Sequence, residues 1–85
     1  MTLEDIIEKY SLRDHSNSTI IQWKKYFAEV CMNDLHYGVM DIARMLDMEN
    51  ISIYYFEKVE EDGRIIRPIK DDMDRYIASL DRLGV

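Results

Sequence analysis

The sequence predicts a mainly α-helical domain of four to five helices, and three observations support this. Apolar residues recur every three or four positions in several stretches, which places them on one face of a helix. Clusters of turn-forming residues separate these stretches. The 85 residues are 47% hydrophobic and 33% charged, a composition typical of a globular chain rather than a disordered one. We therefore treat residues 1–85 as a single domain.

The first predicted helix covers about residues 3–12. Thr2 is its expected N-cap, and Asp5 completes a capping-box pattern. Residues 13–18 contain several turn formers and predict a loop. The apolar face of this helix consists of Leu3, Ile6, Ile7 and Tyr10.

The second predicted helix has the strongest amphipathic pattern in the chain. Thr19 and Gln22 form a capping-box pattern, with Ser16 or Ser18 as alternative caps. We expect its aromatic residues to lie in the core. Its apolar stripe consists of Ile20, Trp23, Phe27, Val30 and Cys31. A loop over residues 33–38 follows.

Residues 39–59 predict two short helices joined by a tight turn. The first covers residues 41–46, the turn covers Asp47 to Asn50, and the second covers residues 51–57. Ala43 is small where the helices would approach each other most closely. The expected buried corner consists of Ala43, Leu46, Ile53 and Phe56, with Met48 beside it. Asn50 and Tyr54 would then face solvent. This spacing resembles the helix-turn-helix of DNA-binding proteins.

The C-terminal part predicts a turn, an extended run and a last helix. Residues 60–63 form the turn signal, and residues 64–69 read as extended, with Pro68 suited to an edge strand. A cluster of acids would lie at the N-terminus of the last helix, where the helix dipole favours negative charge. The acids are Asp71, Asp72 and Asp74. The apolar stripe is Met73, Tyr76, Ile77, Leu80 and Leu83, and Gly84 is the expected stop.

One alternative for this region stays open at the level of sequence. Residues 51–56 alternate in a pattern that strands also use, and they are rich in β-branched and aromatic residues. With Asp62 and Gly63 at the tip, residues 51–69 would form a β-hairpin. A minimal β-wing over residues 64–70 is likewise left open.

From residue 42 to residue 83, the order of features resembles the winged helix-turn-helix of the MerR and phage-excisionase group. The features are a small residue in the first helix, an aromatic run ending in an acid, a glycine turn, an apolar pair before an Arg-Pro, a basic residue, and an Arg-Tyr opening the last helix. The matching residues are Ala43, Tyr54, Tyr55, Phe56, Glu57, Gly63, Ile65, Ile66, Arg67, Pro68, Lys70, Arg75 and Tyr76.

The chain also departs from that pattern. Asp47 stands where glycine is usual between the two helices, and Val59 to Glu61 lengthen the turn. The segment between Lys70 and Arg75 is short and acidic. The long dimerising helix of MerR regulators is missing, so the resemblance does not imply a metal- or ligand-sensing regulator.

The resemblance implies a small DNA-binding transcriptional regulator or accessory protein of phage or mobile-element type. It would bind duplex DNA as a homodimer, because one small motif rarely buries enough surface alone. The candidate base-contacting residues are Asn50, Ser52, Tyr54 and Tyr55. The candidate phosphate-contacting residues are Arg64, Arg67, Lys70 and Arg75, with Arg44, Lys24 and Lys25 as further candidates.

Lys24 and Lys25 lie off the apolar stripe of the second helix, and two expectations follow. A packing helix would leave both lysines in solvent. A second, looser helix-turn-helix starting near Ser18 would present them to DNA.

The net charge of −6 favours a different function. Affinity for nucleic acid comes largely from Lys and Arg, and an acidic domain offers few of them. The alternative is an acidic protein-binding inhibitor or adaptor that acts on a nucleic-acid-binding host protein, of a DNA-mimic or anti-host-defence type. An aromatic patch of Tyr26, Tyr37, Tyr54 and Tyr55 would suit such a partner.

No catalytic group or cofactor site is predicted. His15 and His36 each lie alone in a loop, without a partner at metal-ligand spacing. The single Cys31 has no disulfide partner and sits in an apolar stripe, which is typical of a reducing compartment. No stretch has the roughly 20 apolar residues that a membrane span requires. We therefore expect a cytoplasmic protein that is not an enzyme.

Overall fold

The computed structural model describes residues 1–83, and these form five α-helices and one 3₁₀ turn. The helices are α1 (Leu3–Lys9), α2 (Ser18–Asn33), α3 (Val39–Met45), α4 (Asn50–Tyr55) and α5 (Gly63–Leu83), with the 3₁₀ turn at Phe56–Lys58. No residue within 1–83 lies in a β-strand. The predicted mainly α-helical class is therefore confirmed, whereas the β-hairpin over residues 51–69 and the β-wing over 64–70 are wrong.

Two helix starts show how local hydrogen bonds set the boundaries. The capping box of α1 is present, since Thr2 N donates to Asp5 Oδ2 at 2.8 Å and Asp5 N donates to Thr2 Oγ1 at 3.2 Å. The cap of α2 is Asn17, not Thr19, Ser16 or Ser18. Asn17 Oδ1 accepts from the amide of Thr19 at 2.8 Å and from the amide of Ile20 at 3.3 Å, so one side chain satisfies two free N–H groups of the first turn.

The helices pack around α2, which contacts both α3 and α5. α1 packs on α5, and α4 packs on α3. Phe27 of α2 is fully buried, as predicted, whereas Trp23 is only half-buried. The indole Nε1 of Trp23 donates to the carbonyl of Ile65 at 2.7 Å, and its ring meets Tyr10 edge to face at 5.1 Å. Trp23 thus joins α1, α2 and the start of α5.

The extended run predicted at residues 64–69 is instead the first part of α5. Asp62 starts this helix, because its Oδ1 accepts from the amide of Arg64 at 2.8 Å and its carbonyl accepts from the amides of Ile65 and Ile66. Pro68 lies inside the helix, not at its end. Ile69 is buried on the same face as Met73. Packing on α2 therefore outweighs the β-propensity of the isoleucine pair.

The acids of residues 71–74 lie in the middle of α5 and do not cap its N-terminus. Asp71 and Asp74 are exposed, but Asp72 is only 3% exposed. Asp72 accepts from Lys9 Nζ at 2.8 Å and from Tyr10 OH at 2.5 Å. These bonds join the end of α1 to α5. The predicted stop at Gly84 lies outside the described residues.

Candidate functional site

The two short helices α3 and α4 pack against each other as the spacing predicts. The four residues of the expected corner, Ala43, Leu46, Ile53 and Phe56, are all buried in the core cluster. Asp47 follows α3 with φ of 54°. In this left-handed conformation, Asp47 N donates to Arg44 O at 3.3 Å and Met48 N to Ala43 O at 2.9 Å. Asp47 thus takes the role that glycine usually has after a helix.

The outer face of α4 exposes three large apolar or aromatic side chains. Ile51 is 73% exposed, Tyr54 is 60% exposed and Tyr55 is 62% exposed. We call these three residues the α4 patch. Tyr54 and Tyr55 were singled out from the sequence, but Ile51 was missed. The exposure of Ile51 could have been predicted from helical spacing. Ile53 and Phe56 face the core, and residues 51, 54 and 55 lie on the opposite side of the same helix.

The remaining two predicted base-contacting residues, Asn50 and Ser52, differ in their exposure to solvent. Asn50 is the first residue of α4 and is exposed. Ser52 is half-buried and lines a cleft next to the helix. Tyr26 and Tyr37, the other two tyrosines of the predicted aromatic patch, do not lie on α4. Tyr26 is half-buried on α2, and Tyr37 lies in the loop before α3.

The candidate phosphate-contacting residues lie on a different helix. Arg64, Arg67, Lys70 and Arg75 are all exposed and all belong to α5. Since α5 packs on α2 and α1 while α4 packs on α3, these cations and the α4 patch belong to separately packed elements. Acids also interrupt the basic series, because Asp71 and Asp74 lie among them. Arg75 Nη1 is 3.8 Å from Asp72 Oδ1.

The segment of the chain that carries the α4 patch is rich in exposed acids. Between residues 41 and 62, the exposed acids are Asp41, Asp47, Glu49, Glu57, Glu60 and Asp62, whereas the exposed cations are Arg44 and Lys58. Lys25 adds little positive charge here, because its Nζ donates to the carbonyl of Val59 and lies 3.7 Å from Glu29. Phosphate groups would therefore meet net repulsion next to α4.

A cleft of about 340 Å³ opens between α2 and α4. Its lining consists of His15, Ile21, Lys24, Asp47, Met48, Glu49, Ser52, Tyr55 and Phe56. Lys24 is 1% exposed, so the expectation that it lies in solvent is wrong. Burial lowers the pKa of Lys24, while the charge of Asp14 acts in the opposite direction.

His15 has partners that the sequence did not reveal. Its Nδ1 lies 2.5 Å from Lys24 Nζ, and its Nε2 lies 3.0 Å from the carbonyl of Asp47. The ring thus joins the α1–α2 loop, α2 and the α3–α4 turn. No spacing rule brings residues 15, 24 and 47 together, because each belongs to a different segment.

Burial also raises the pKa values of two other titratable groups, Cys31 and Glu61. Burial raises the pKa of the Cys31 thiol to about 12, which makes this cysteine unreactive at neutral pH. Burial and the neighbouring Glu29 carboxylate raise the pKa of Glu61, whose Oε1 has no hydrogen-bond partner within residues 1–83. No group of three or more His, Cys, Asp or Glu in the described part of the chain is arranged to hold a metal ion.

Comparison with protein-family models, curated proteins and solved structures found no match. Within residues 1–83, no helix combines the length and the apolar character that a transmembrane segment requires.

Proposed function

We propose that this protein is a binding module that docks a protein partner on the α4 patch, and that the partner presents a basic surface. It would act as an inhibitor or adaptor for a nucleic-acid-binding protein. One observation carries the proposal: Ile51, Tyr54 and Tyr55 are each at least 60% exposed on one helix face, and the segment of residues 41–62 to which they belong exposes six acids and two cations.

The apolar part of this face supports a protein partner. Contiguous exposed apolar groups mark interaction surfaces, and tyrosine is enriched among the residues that dominate interface energies. A tyrosine supplies a large contact area with few rotatable bonds and retains a hydroxyl for hydrogen bonding. Tyr54 and Tyr55 would be the anchors, with Ile51 next to them.

The charges decide the class of partner. An apolar centre in a segment rich in exposed Asp and Glu complements an apolar pocket flanked by Lys and Arg, and the acids steer association with such a surface. Surfaces rich in Lys and Arg are typical of nucleic-acid-binding proteins. The same acids disfavour a second copy of this chain, because two acidic faces would meet. The expected homodimer therefore has no support on this face.

Duplex-DNA binding is a second proposal, and a different observation favours it. The α3–α4 pair consists of two short packed helices joined by a turn, an order that resembles a helix-turn-helix, and its second helix exposes Asn50, Tyr54 and Tyr55. The phosphate contacts would have to come from Arg64, Arg67, Lys70 and Arg75 on α5.

Matched variants separate the two proposals. We expect the full chain to capture a nucleic-acid-binding protein, and duplex DNA to compete with the chain for that protein. Tyr54→Ala or Tyr55→Ala should weaken this complex by about 2 kcal/mol each, or roughly 30-fold in Kd. The control Tyr37→Ala should leave it unchanged. Isothermal titration calorimetry with the purified pair provides the measurement.

The same proteins test DNA binding directly. Fluorescence anisotropy with labelled duplex DNA at low salt should show no saturable binding. Binding that is lost in the variant with Arg64→Ala, Arg67→Ala and Arg75→Ala, and that falls steeply with salt, would favour the DNA proposal and contradict the protein partner.

A further inference from the structure

We propose that the cleft between α2 and α4 binds a small organic monocarboxylate, and that Lys24 holds its carboxylate group. The cleft shares Tyr55 with the docking face, but this proposal rests on Lys24 and does not depend on the proposed function. The cleft volume of about 340 Å³ falls within the range of small-molecule sites.

The main observation is that Lys24 is buried without an acidic partner in contact with it. This side chain is 99% buried, yet it forms no ion pair with any acid of residues 1–83. An ammonium group has three N–H donors, and the side chain of His15 is the acceptor that the described residues provide. Burying a cation without a contacting counterion is costly, and the charge of Asp14 offsets this cost only in part. A carboxylate in the cleft would supply both the missing negative charge and the missing acceptors.

His15 fixes the position of this ammonium group. Since Lys24 donates to Nδ1, the ring carries its proton on Nε2 and donates it to the carbonyl of Asp47 at 3.0 Å. Both His15 and Lys24 line the cleft. The cation is therefore held in the wall of the cleft by a second side chain and cannot swing freely towards solvent.

The rest of the lining determines the body of the ligand. Ile21, Met48 and Phe56 present apolar groups, and Tyr55 adds an aromatic ring. Ser52 adds a hydroxyl that can donate or accept a hydrogen bond. A flat or branched hydrocarbon group fits such walls, with the charged end of the ligand at Lys24.

The charge of the lining selects a monocarboxylate over a phosphate. Lys24 is the one lysine or arginine in the lining, whereas Asp47 and Glu49 are two carboxylates in the same lining. The first negative charge of a ligand can pair directly with Lys24, whereas a second charge would have no further lysine or arginine in the lining to pair with and would be repelled by both carboxylates. A single negative charge with an apolar body matches this arrangement best.

Phenylacetate is a suitable probe, and benzyl alcohol is its uncharged counterpart of similar size. In ¹H–¹⁵N NMR titrations of the full chain, phenylacetate should shift the amides of Ile21, Ser52 and Phe56 in a saturable way. Benzyl alcohol should bind at least about tenfold more weakly, because it lacks the charge that Lys24 attracts. Lys24→Met should reduce phenylacetate binding to that level, and the exposed control Lys58→Met should not.

A second measurement on the unaltered chain covers the case in which Lys24→Met does not fold. The ¹³Cε signal of Lys24 reports its protonation, and bound phenylacetate should shift its titration to higher pH. Raising the pH through that titration should release the ligand. The proposal is overturned if phenylacetate causes no saturable shifts, if benzyl alcohol binds equally well, or if binding is unaffected when Lys24 loses its proton or its amine.

Discussion

At the scale of single residues, three residues other than glycine have a left-handed backbone conformation. Ser11, His36 and Asp47 have φ values of 53°, 60° and 54°. Ser11 and Asp47 directly follow the C-caps of α1 and α3. After α1, Leu12 N donates to Ile7 O at 2.9 Å and Ser11 N donates to Glu8 O at 3.2 Å. These are the bonds of a Schellman motif, which usually has glycine at the position of Ser11. The chain therefore retains strain that glycine would relieve.

Ser11→Gly should stabilise the protein by about 0.5–1 kcal/mol. The left-handed conformation costs an L-residue about 1–2 kcal/mol, and the greater freedom of glycine in the unfolded chain offsets part of that gain. Ser11→Val should instead lower the free energy of unfolding by about 1 kcal/mol or more, because a β-branched residue fits this conformation poorly. Urea denaturation checks both variants. Equal stability of the two would contradict the role of φ at this position.

At the scale of elements, α5 contains a proline that it has to accommodate. Pro68 is the sixth residue of the helix and has no N–H, so the carbonyl of Arg64 loses its intrahelical donor. The helix persists because Asp62 caps its start and because Ile69 and Met73 are buried. Tertiary packing thus stabilises a segment whose local sequence favours an extended chain.

Pro68→Ala should raise the free energy of unfolding by about 1–2 kcal/mol. Alanine restores the N–H and removes the ring clash, and the lost rigidity of the unfolded chain offsets part of the gain. Ala78→Pro is the matched control on the exposed part of the same helix and should destabilise the protein by about 3 kcal/mol or more. Thermal unfolding followed by circular dichroism measures both. A loss of stability in Pro68→Ala would show that the proline is required.

The same elements show what the sequence could predict and what it could not. Helical spacing identified all five helices in part, since it depends on neighbours three or four positions apart. It was wrong at residues 64–69, because Pro68 and the isoleucine pair are strong local signals and the packing of α5 on α2 is not local. The cleft was missed for the same reason, since Lys24, His15 and Asp47 meet only in the folded chain.

At the scale of the whole molecule, charge is divided between two regions. Residues 1–62 contain thirteen acids and six bases, whereas residues 63–83 contain four acids and five bases. Most of the acidity therefore lies outside α5. Folding shifts the pKa values of two carboxyl groups, Asp72 and Glu61, in opposite directions. Burial disfavours the charge of Asp72, but the bonds from Lys9 and Tyr10 outweigh it and lower its pKa, whereas the pKa of Glu61 is raised.

These two groups give stability a distinct pH dependence. The folded chain holds the Glu61 proton more tightly than the unfolded chain does, so this contribution is full below about pH 4.5 and is lost as the pH rises through the folded-state pKa. Asp72 contributes above its unfolded pKa, near 3.8, and this contribution is lost as the pH falls through its lowered folded value.

Glu61→Gln isolates the first contribution. At pH 7 the variant should be more stable than the unaltered chain, because it removes a half-buried charge beside Glu29. Below about pH 4.5 the advantage should disappear, since Glu61 is then protonated. The exposed control Glu60→Gln should not show this pattern. Urea denaturation at a series of pH values provides the comparison. A stability advantage that is constant with pH would show that protonation of Glu61 is not coupled to folding.

The bonds from Lys9 and Tyr10 to Asp72 span more than sixty positions of the chain. α1 is synthesised before α5, but its packing surface and its buried hydrogen-bond acceptor are supplied by α5, which follows the other described helices in the chain. Until Met73 has emerged, the apolar residues of α1 and α2 that pack on α5 remain uncovered. Completion of the core therefore follows translation of α5, and a nascent chain that pauses before it would expose those residues to chaperones and proteases.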